Sequence, residues 1–295
     1  MSIFDQKVIK YEMKPLSSLE KVFPDETPVY RMECQMLSGL WGETVSFQVA
    51  YTGDFVMRER LDVRVVSELA EHVHVRTVEM VPVGRATNGI VDDNYLKTTS
   101  GLYPDLLKDL KDGKVIVYSR QWRSLWVDVD ITNEIPAGEY EIELQLIKEG
   151  EVVCSAKQKV TVIGTELPKL DIMHTEWMHA DCLADYYHVE VFSEEHWKLL
   201  ENYFQEYVKR DCNMMLTPLF TSPLDTAIGL ERTTCQLIDV EVKDGEYVFG
   251  FEKLKRWIDL CKKCGIEYFE MSHLFSQWGA KYAPKVVATV NGKKE

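Results

Sequence analysis

Six side chains that can grip a ligand or move protons crowd into residues 174–185: His174, Glu176, Trp177, His179, Asp181 and Asp185. Imidazoles and carboxylates hold hydroxyl groups in pairs, and an indole face stacks on the apolar C–H face of a pyranose. The mixture therefore suits a sugar. Two later groups have the same character, Thr217, Thr221 and Asp225 in one, His273, Gln277 and Trp278 in the other. Each group follows a short apolar run, and the candidate sugar-binding residues are His174, Glu176, Trp177, His179, Asp181, Asp225, His273, Gln277 and Trp278.

Other chemistry fits less well. His174, His179 and Asp181 offer metal-ligating atoms, which leaves a metal-dependent enzyme as a rival reading. Their spacing matches no compact motif such as HExxH, and no metal site is assigned. Cys261 and Cys264 form a CxxC with no second pair, late in an amphipathic stretch where a redox motif would open a helix. Packing is their expected role. Of the neighbouring carboxylates, Glu194 and Glu195 belong to a helix start and Asp92 and Asp93 to an aperiodic stretch, so neither pair sits in an expected pocket. No catalytic residue and no cofactor are assigned, and a phosphate loop or nucleophile elbow is missing from the sequence.

The elements that must position these residues follow from periodicity. Residues 170–173 form an apolar run that predicts a buried strand. A helix is expected over 193–209, with Ser193 as its cap, acids in its first turn, and Leu199, Leu200, Tyr203, Phe204 and Val208 as an apolar stripe. A strand at 213–217, a helix at 251–264 closed by Gly265, and a strand at 267–271 complete the pattern. Strands alternating with helices predict parallel βαβ units, whose ligands gather at the carboxyl ends of the strands.

Ahead of these, residues 28–164 read as antiparallel β. The runs at 28–37, 43–52, 61–68, 72–81, 124–132, 139–147 and 152–163 are short, rich in β-branched and aromatic residues, and several alternate apolar with polar. Turns are expected at Gly53-Asp54, at Pro136-Ala137-Gly138 and at Glu149-Gly150. A β-sandwich is the predicted architecture. The aperiodic stretch 84–118 is expected to cover a sheet edge or reach toward the second domain. Residues 165–168 read as a linker, giving a sandwich over 1–165 and an α/β domain over 166–295.

Composition bounds the partners. With a net charge of −14 the chain repels polyanions, so nucleic acid is not an expected partner. No run approaches the roughly 20 apolar residues of a membrane span, and residues 1–16 do not read as a signal peptide. Seven scattered cysteines suit reduced thiols, and a cytoplasmic location is expected. A closed (β/α)8 barrel takes about 250 residues, whereas 130 follow residue 165 (295 − 165). The second domain is therefore expected to be the first three βα units of an incomplete TIM-type barrel, with the remaining half supplied by the same or another chain.

Several long blocks carry a resemblance. HTEWMHADCLADYY from His174, NMMLTPLFTSPLDTAIGLERTTCQLIDV at 213–240 and FGFEKLKRWIDLCKKCGIEYFEMSHLFSQWGAKYAP at 249–284, with GETVSFQVAY and GLYPDLL upstream, resemble glycoside hydrolase family 123-like proteins of the DUF4091 type. The resemblance implies an N-terminal β-sandwich and a TIM-type barrel. It further implies a retaining, substrate-assisted β-N-acetylgalactosaminidase, in which the sugar's own acetamido oxygen attacks the anomeric carbon while an Asp orients it and the adjacent Glu serves as acid then base. The implied ligand is a carbohydrate containing N-acetylhexosamine. No strand-end Asp-Glu pair occurs before Glu295, so that pair is expected beyond it and the chain alone is expected to be inactive. A non-catalytic carbohydrate-binding or assembly protein is the alternative.

Overall fold

The computed structural model describes residues 10–29, 36–55, 57–87, 89, 91, 94–169, 171–222, 230–275 and 279–295. The chain divides into two compact units, Met1–Pro168 and Lys169–Glu295.

The first unit is built from ten strands: β1 (Lys10–Ser17), β2 (Met36–Trp41), β3 (Thr44–Asp54), β4 (Glu59–Val66), β5 (Val73–Val83), β6 (Gly101–Asp109), β7 (Lys114–Val117), β8 (Arg123–Asp130), β9 (Gly138–Lys148) and β10 (Glu151–Glu166). They form two five-stranded sheets, in the orders β1-β3-β8-β5-β6 and β2-β10-β9-β4-β7. All pairings are antiparallel except β2 with β10. Side chains two apart share a strand face, and so Phe47, Val49 and Tyr51, then Leu125, Val127 and Val129, then Ile142, Leu144 and Leu146 meet in one core. The other face of β3 is also covered. Ala50 packs with Leu16, Val22 and Trp122, and the buried Gln48 side chain donates to Glu20 O at 2.7 Å while accepting from Ser124 Oγ at 2.9 Å.

Turn chemistry explains some of the sequence signals and reverses one. Glu149 (φ 53°) and Gly150 (φ 89°) make the two-residue link between Lys148 and Glu151, a hairpin geometry that needs two left-handed residues. Gly53-Asp54, expected as a turn, instead ends strand β3, with Gly53 opposite Tyr11. A Cβ on Gly53 would lie 2.3 Å from the Phe55 ring, so this glycine serves close packing. The expected strand at 28–37 falls largely outside the described residues, and β2 starts only at Met36. Within 84–118, taken as aperiodic, lie β6 and β7, each the outermost strand of its sheet.

The second unit holds helices α1 (Ala180–Tyr187), α2 (Glu194–Val208) and α3 (Glu252–Cys264) and strands β11 (Met214–Thr217), β12 (Asp239–Lys243), β13 (Glu246–Gly250), β14 (Tyr268–Met271), β15 (Ala288–Val290) and β16 (Lys293–Lys294). Strands β11 and β14 pair in parallel, and β13-β12-β15-β16 form a separate mixed sheet. Helix α2 starts where its cap dictates, with Ser193 Oγ accepting from His196 N–H at 3.2 Å. Helix α3 ends at Gly265, whose φ of 104° is left-handed. Leu200, Phe204, Met215, Trp257 and Cys261 are fully buried in one cluster, which gives Cys261 a packing role. On β13 the aromatic residues lie outward: Tyr247 and Phe249 are exposed and stacked, ring centroids 6.5 Å apart.

Three expectations for this unit are corrected. Among the described residues, the parallel sheet has two strands, β11 and β14, where three were expected. Residues 171–173 are not a buried strand: Ile172 and Met173 are 63% and 65% exposed. Helix α1 occupies a stretch read as loop. Its stripe of Ala180, Leu183 and Ala184 is built mostly from small residues, and its cap position His179 makes no capping side-chain bond.

Candidate functional site

Strands β11 and β14 run side by side in the register Leu216 to Glu270 and Thr217 to Met271. Their carboxyl ends are fixed from below. Ser272 N–H donates to Thr217 O at 3.0 Å, and the Ser272 hydroxyl donates to Phe220 O at 3.2 Å. Thr221 Oγ1 accepts from Cys235 N–H at 3.0 Å. Gln236, also buried, donates to Ile238 O and Val287 O and accepts from Val287 N–H, drawing two loop segments together. Thr217 and Thr221 are thus buried structural hydroxyls.

Beside this anchored end lie Trp177, Glu270 and His273. The indole Nε1–H of Trp177 donates to Glu270 Oε2 at 3.0 Å. The His273 ring meets the Trp177 ring edge-on, centroids 5.6 Å apart at 78°. Trp177 remains 47% exposed, so an indole held by a carboxylate keeps surface free for a ligand. Glu270 was absent from the sequence-derived candidates. Its position one residue before the end of an expected strand, three before His273, was the available signal.

His174 and Glu176 lie elsewhere, alongside the beginning of β11. Asn213 uses its side chain like a short piece of strand, its Oδ1 accepting from His174 N–H at 2.8 Å and its Nδ2 donating to Ile172 O at 2.8 Å. The backbone N–H groups of Asn213 and Met214 both donate to His174 O. His174 Nδ1 is 3.2 Å from Asp211 O, and its Nε2 is 3.6 Å from Glu176 Oε1. Tyr207, on α2, pins this stretch. Its hydroxyl accepts from Glu176 N–H at 2.7 Å and donates to one of Glu176 O and Met214 O, at 2.8 and 2.7 Å. Burial pushes the Tyr207 phenol above its usual range, which keeps it a donor. Near His174 the Cys212 thiol is likewise raised by burial, against a role as nucleophile.

Asp181 and Asp185 hold the segment that follows Leu230. Asp181, its side chain 8% exposed, accepts from Arg232 Nε at 2.8 Å. Burial opposes the charge on Arg232, but the bond to Asp181 raises its pKa overall. Arg232 also donates to Cys182 Sγ at 3.1 Å. Thr233 Oγ1 donates to Asp185 at 2.8 Å. His179 stands at the cap position of α1. Asp225, Gln277 and Trp278 lie outside the described residues. The structure therefore brings together Trp177 and His273, and places His174 with Glu176 apart from Asp181. Among the described residues, no three His, Cys, Asp or Glu side chains converge to hold a metal ion.

The chain thus joins a β-rich unit to an α/β unit that carries an indole, an imidazole and a carboxylate at a parallel strand end. Residues 177–295 match the family model described as glycoside hydrolase 123, catalytic domain. In particular, the chain is similar in fold to a family 123 glycoside hydrolase from Clostridium perfringens, solved to explain glycolipid glycan hydrolysis, at a TM-score of 0.67 and 13% identity. That likeness covers 97% of this chain and 51% of the other, so the chain spans about half the length of the solved structure it matches. A β-glucosidase from Listeria innocua (TM-score 0.25, 10% identity, 54% of this chain and 17% of that one) is too distant to carry an argument. The same holds for the N-terminal domain of PorA (TM-score 0.25, 11% identity, 50% and 99%). No curated protein matches the chain. No helix among the described residues is long and apolar enough to cross a membrane.

Proposed function

We propose that this chain is part of a glycoside hydrolase acting on a carbohydrate that contains N-acetylhexosamine, and that it contributes the substrate wall. The observation that carries the reading is the half-exposed Trp177 indole, anchored by Glu270 and flanked by His273 at the end of β14, within the segment that matches the family 123 catalytic domain. A fixed indole face suits the C–H face of a sugar, and adjacent imidazole and carboxylate suit its hydroxyls.

In this reading Lys169–Glu295 is the opening part of a TIM-type barrel, to which β11, α3 and β14 contribute one parallel crossover. Hydrolysis is retaining and assisted by the substrate's acetamido group, and the catalytic Asp-Glu pair lies beyond residue 295. His174, Glu176, His179, Asp181, Asp225, Gln277 and Trp278 belong to the wall or its supports. The direct test is ligand-observed NMR of N-acetylgalactosamine with the chain, beside an assay with a chromogenic β-N-acetylgalactosaminide. Saturable binding that Trp177→Ala weakens at least tenfold, roughly the loss of a stacking contact and its area, is expected, with no hydrolysis. Binding indifferent to Trp177 would remove the wall. Hydrolysis at an ordinary enzymatic rate by these 295 residues would remove the external Asp-Glu pair.

A further inference from the structure

The first unit contains a cavity of about 730 Å³ unrelated to the strand-end cluster. Its floor is Tyr51, Val78 and Val115, all buried. Around it the charges are unbalanced in a chain whose net charge is −14. Two of the lining acids are engaged: Glu59 accepts from Lys148 at 2.9 Å and from the Tyr11 hydroxyl, and Glu79 accepts from Thr77 at 2.8 Å. Two of the cations are engaged as well, Arg60 with Asp112 at 2.8 Å and Lys114 with Asp62 at 3.2 Å. Arg58, Lys108, Lys111 and Arg123 line the same space with no ion pair among the described residues, against the single further carboxylate of Asp109.

Arg123 is the most telling of these. Its guanidinium lies over the Tyr118 ring, 5.0 Å from the centroid, and one terminal nitrogen donates to Gln121 at 3.2 Å. Its Nε is out of contact with water and has no acceptor among the described residues. A buried donor on a charged group without an acceptor is disfavoured, and native structures seldom leave one. An oxyanion entering the cavity would supply that acceptor and offset the cluster of like charges.

From this we infer that the cavity binds a small sugar carrying a carboxylate or sulfate group. The volume falls within the usual range for ligand sites, about 300–1,000 Å³, and exceeds what a bare oxyanion fills. The floor offers apolar surface, and the Tyr51 hydroxyl, which donates to Ile116 O at 3.4 Å, can still accept from a ligand hydroxyl, suiting a ring that has both C–H faces and hydroxyls, while the cations take the anionic substituent. The inference rests on the first unit alone and is independent of the hydrolase reading.

Calorimetric titration of the full chain with glucuronate, galactose 6-sulfate, inorganic sulfate and glucose tests it. At least one charged sugar is expected to saturate the protein, with affinity falling as salt rises. Arg123→Gln and, separately, Arg58→Gln are each expected to weaken binding about tenfold, the scale of one charge-assisted hydrogen bond. Arg58 is exposed, so its variant tests the site without disturbing the core. Failure of both charged sugars to bind, or equal binding by glucose, overturns the inference. Sulfate alone binding as tightly as either charged sugar overturns the sugar, and affinity unchanged in both variants overturns the site.

Discussion

Removing the Asp181 carboxylate should loosen helix α1 and the segment at Arg232 together. The pair is close, with Nε to Oδ2 at 2.8 Å, and little solvent reaches it, the two side chains being 12% and 8% exposed. Deleting one member of such a pair leaves the other charge poorly solvated, a loss of about 3–5 kcal/mol. Cys182 remains a contact for Arg232, so about 3 kcal/mol is the expected figure for Asp181→Ala. Asp181→Asn keeps an oxygen facing Arg232 and should lose about 1.5–3 kcal/mol, the worth of a hydrogen bond to a charged group. Replacing both residues by apolar ones, Asp181→Leu with Arg232→Met, should recover much of the loss because no charge stays buried. Native-state hydrogen exchange over 180–187 reads the opening free energy of α1 directly. An Asp181→Ala loss under about 1 kcal/mol, or a double variant as unstable as the sum of its singles, would refute the reasoning.

Further outcomes follow from other contacts. His196 is fully buried, its Nδ1 accepting from Phe192 N–H at 2.9 Å and its Nε2–H donating to Ala180 O at 3.0 Å, so the neutral ring fits and a second ring proton does not. Burial lowers its pKa below the usual histidine value, against the opposing pull of Ala180 O and Asp181. The unfolded chain therefore takes the proton first: this stability is present above about pH 6.5 and is lost as the pH falls toward the depressed folded value. Acid titration of near-UV circular dichroism should show that loss, and His196→Gln should flatten it. Glu149 occupies a left-handed position at φ 53°, where Asn is better tolerated, so Glu149→Asn should raise the stability of the first unit by up to about 1 kcal/mol in thermal melts. Leu144 has no exposed surface, and Leu144→Ala should lower urea stability by about 2–5 kcal/mol.

What the sequence disclosed depended on how local its determinants were. Ser193, the stripe through Leu200 and Phe204, and Gly265 act within a turn or two, and α2 and α3 stand where those residues put them. Helix α1 escaped because two of its four buried residues are alanines and no side chain caps it. The β12–β13 hairpin had a readable signal in Asp244-Gly245, both at positive φ between VEV and YVF. The apolar run ending at Met173 misled because hydrophobicity was taken for burial, whereas Asn213 holds that stretch by hydrogen bonds. In the candidate site, residue types pointed to Trp177 and His273. The partnership of Trp177 with Glu270 spans 93 positions, and no spacing rule could reveal it.

The outward face of β13 has a bearing on how the protein behaves in concentrated solution. It is the outermost strand of its sheet, so one line of backbone N–H and C=O groups has no neighbouring strand among the described residues. Tyr247, Val248 and Phe249 are all exposed along it, and Phe251 is exposed just beyond its end. Short, aromatic and β-prone strands at a sheet edge are where one molecule most readily extends another's sheet. Its charged neighbours Glu246 and Glu252 repel a second copy, and they do so less as salt rises. Low ionic strength is thus the condition in which this surface stays single, and Phe249→Lys would keep it so more widely.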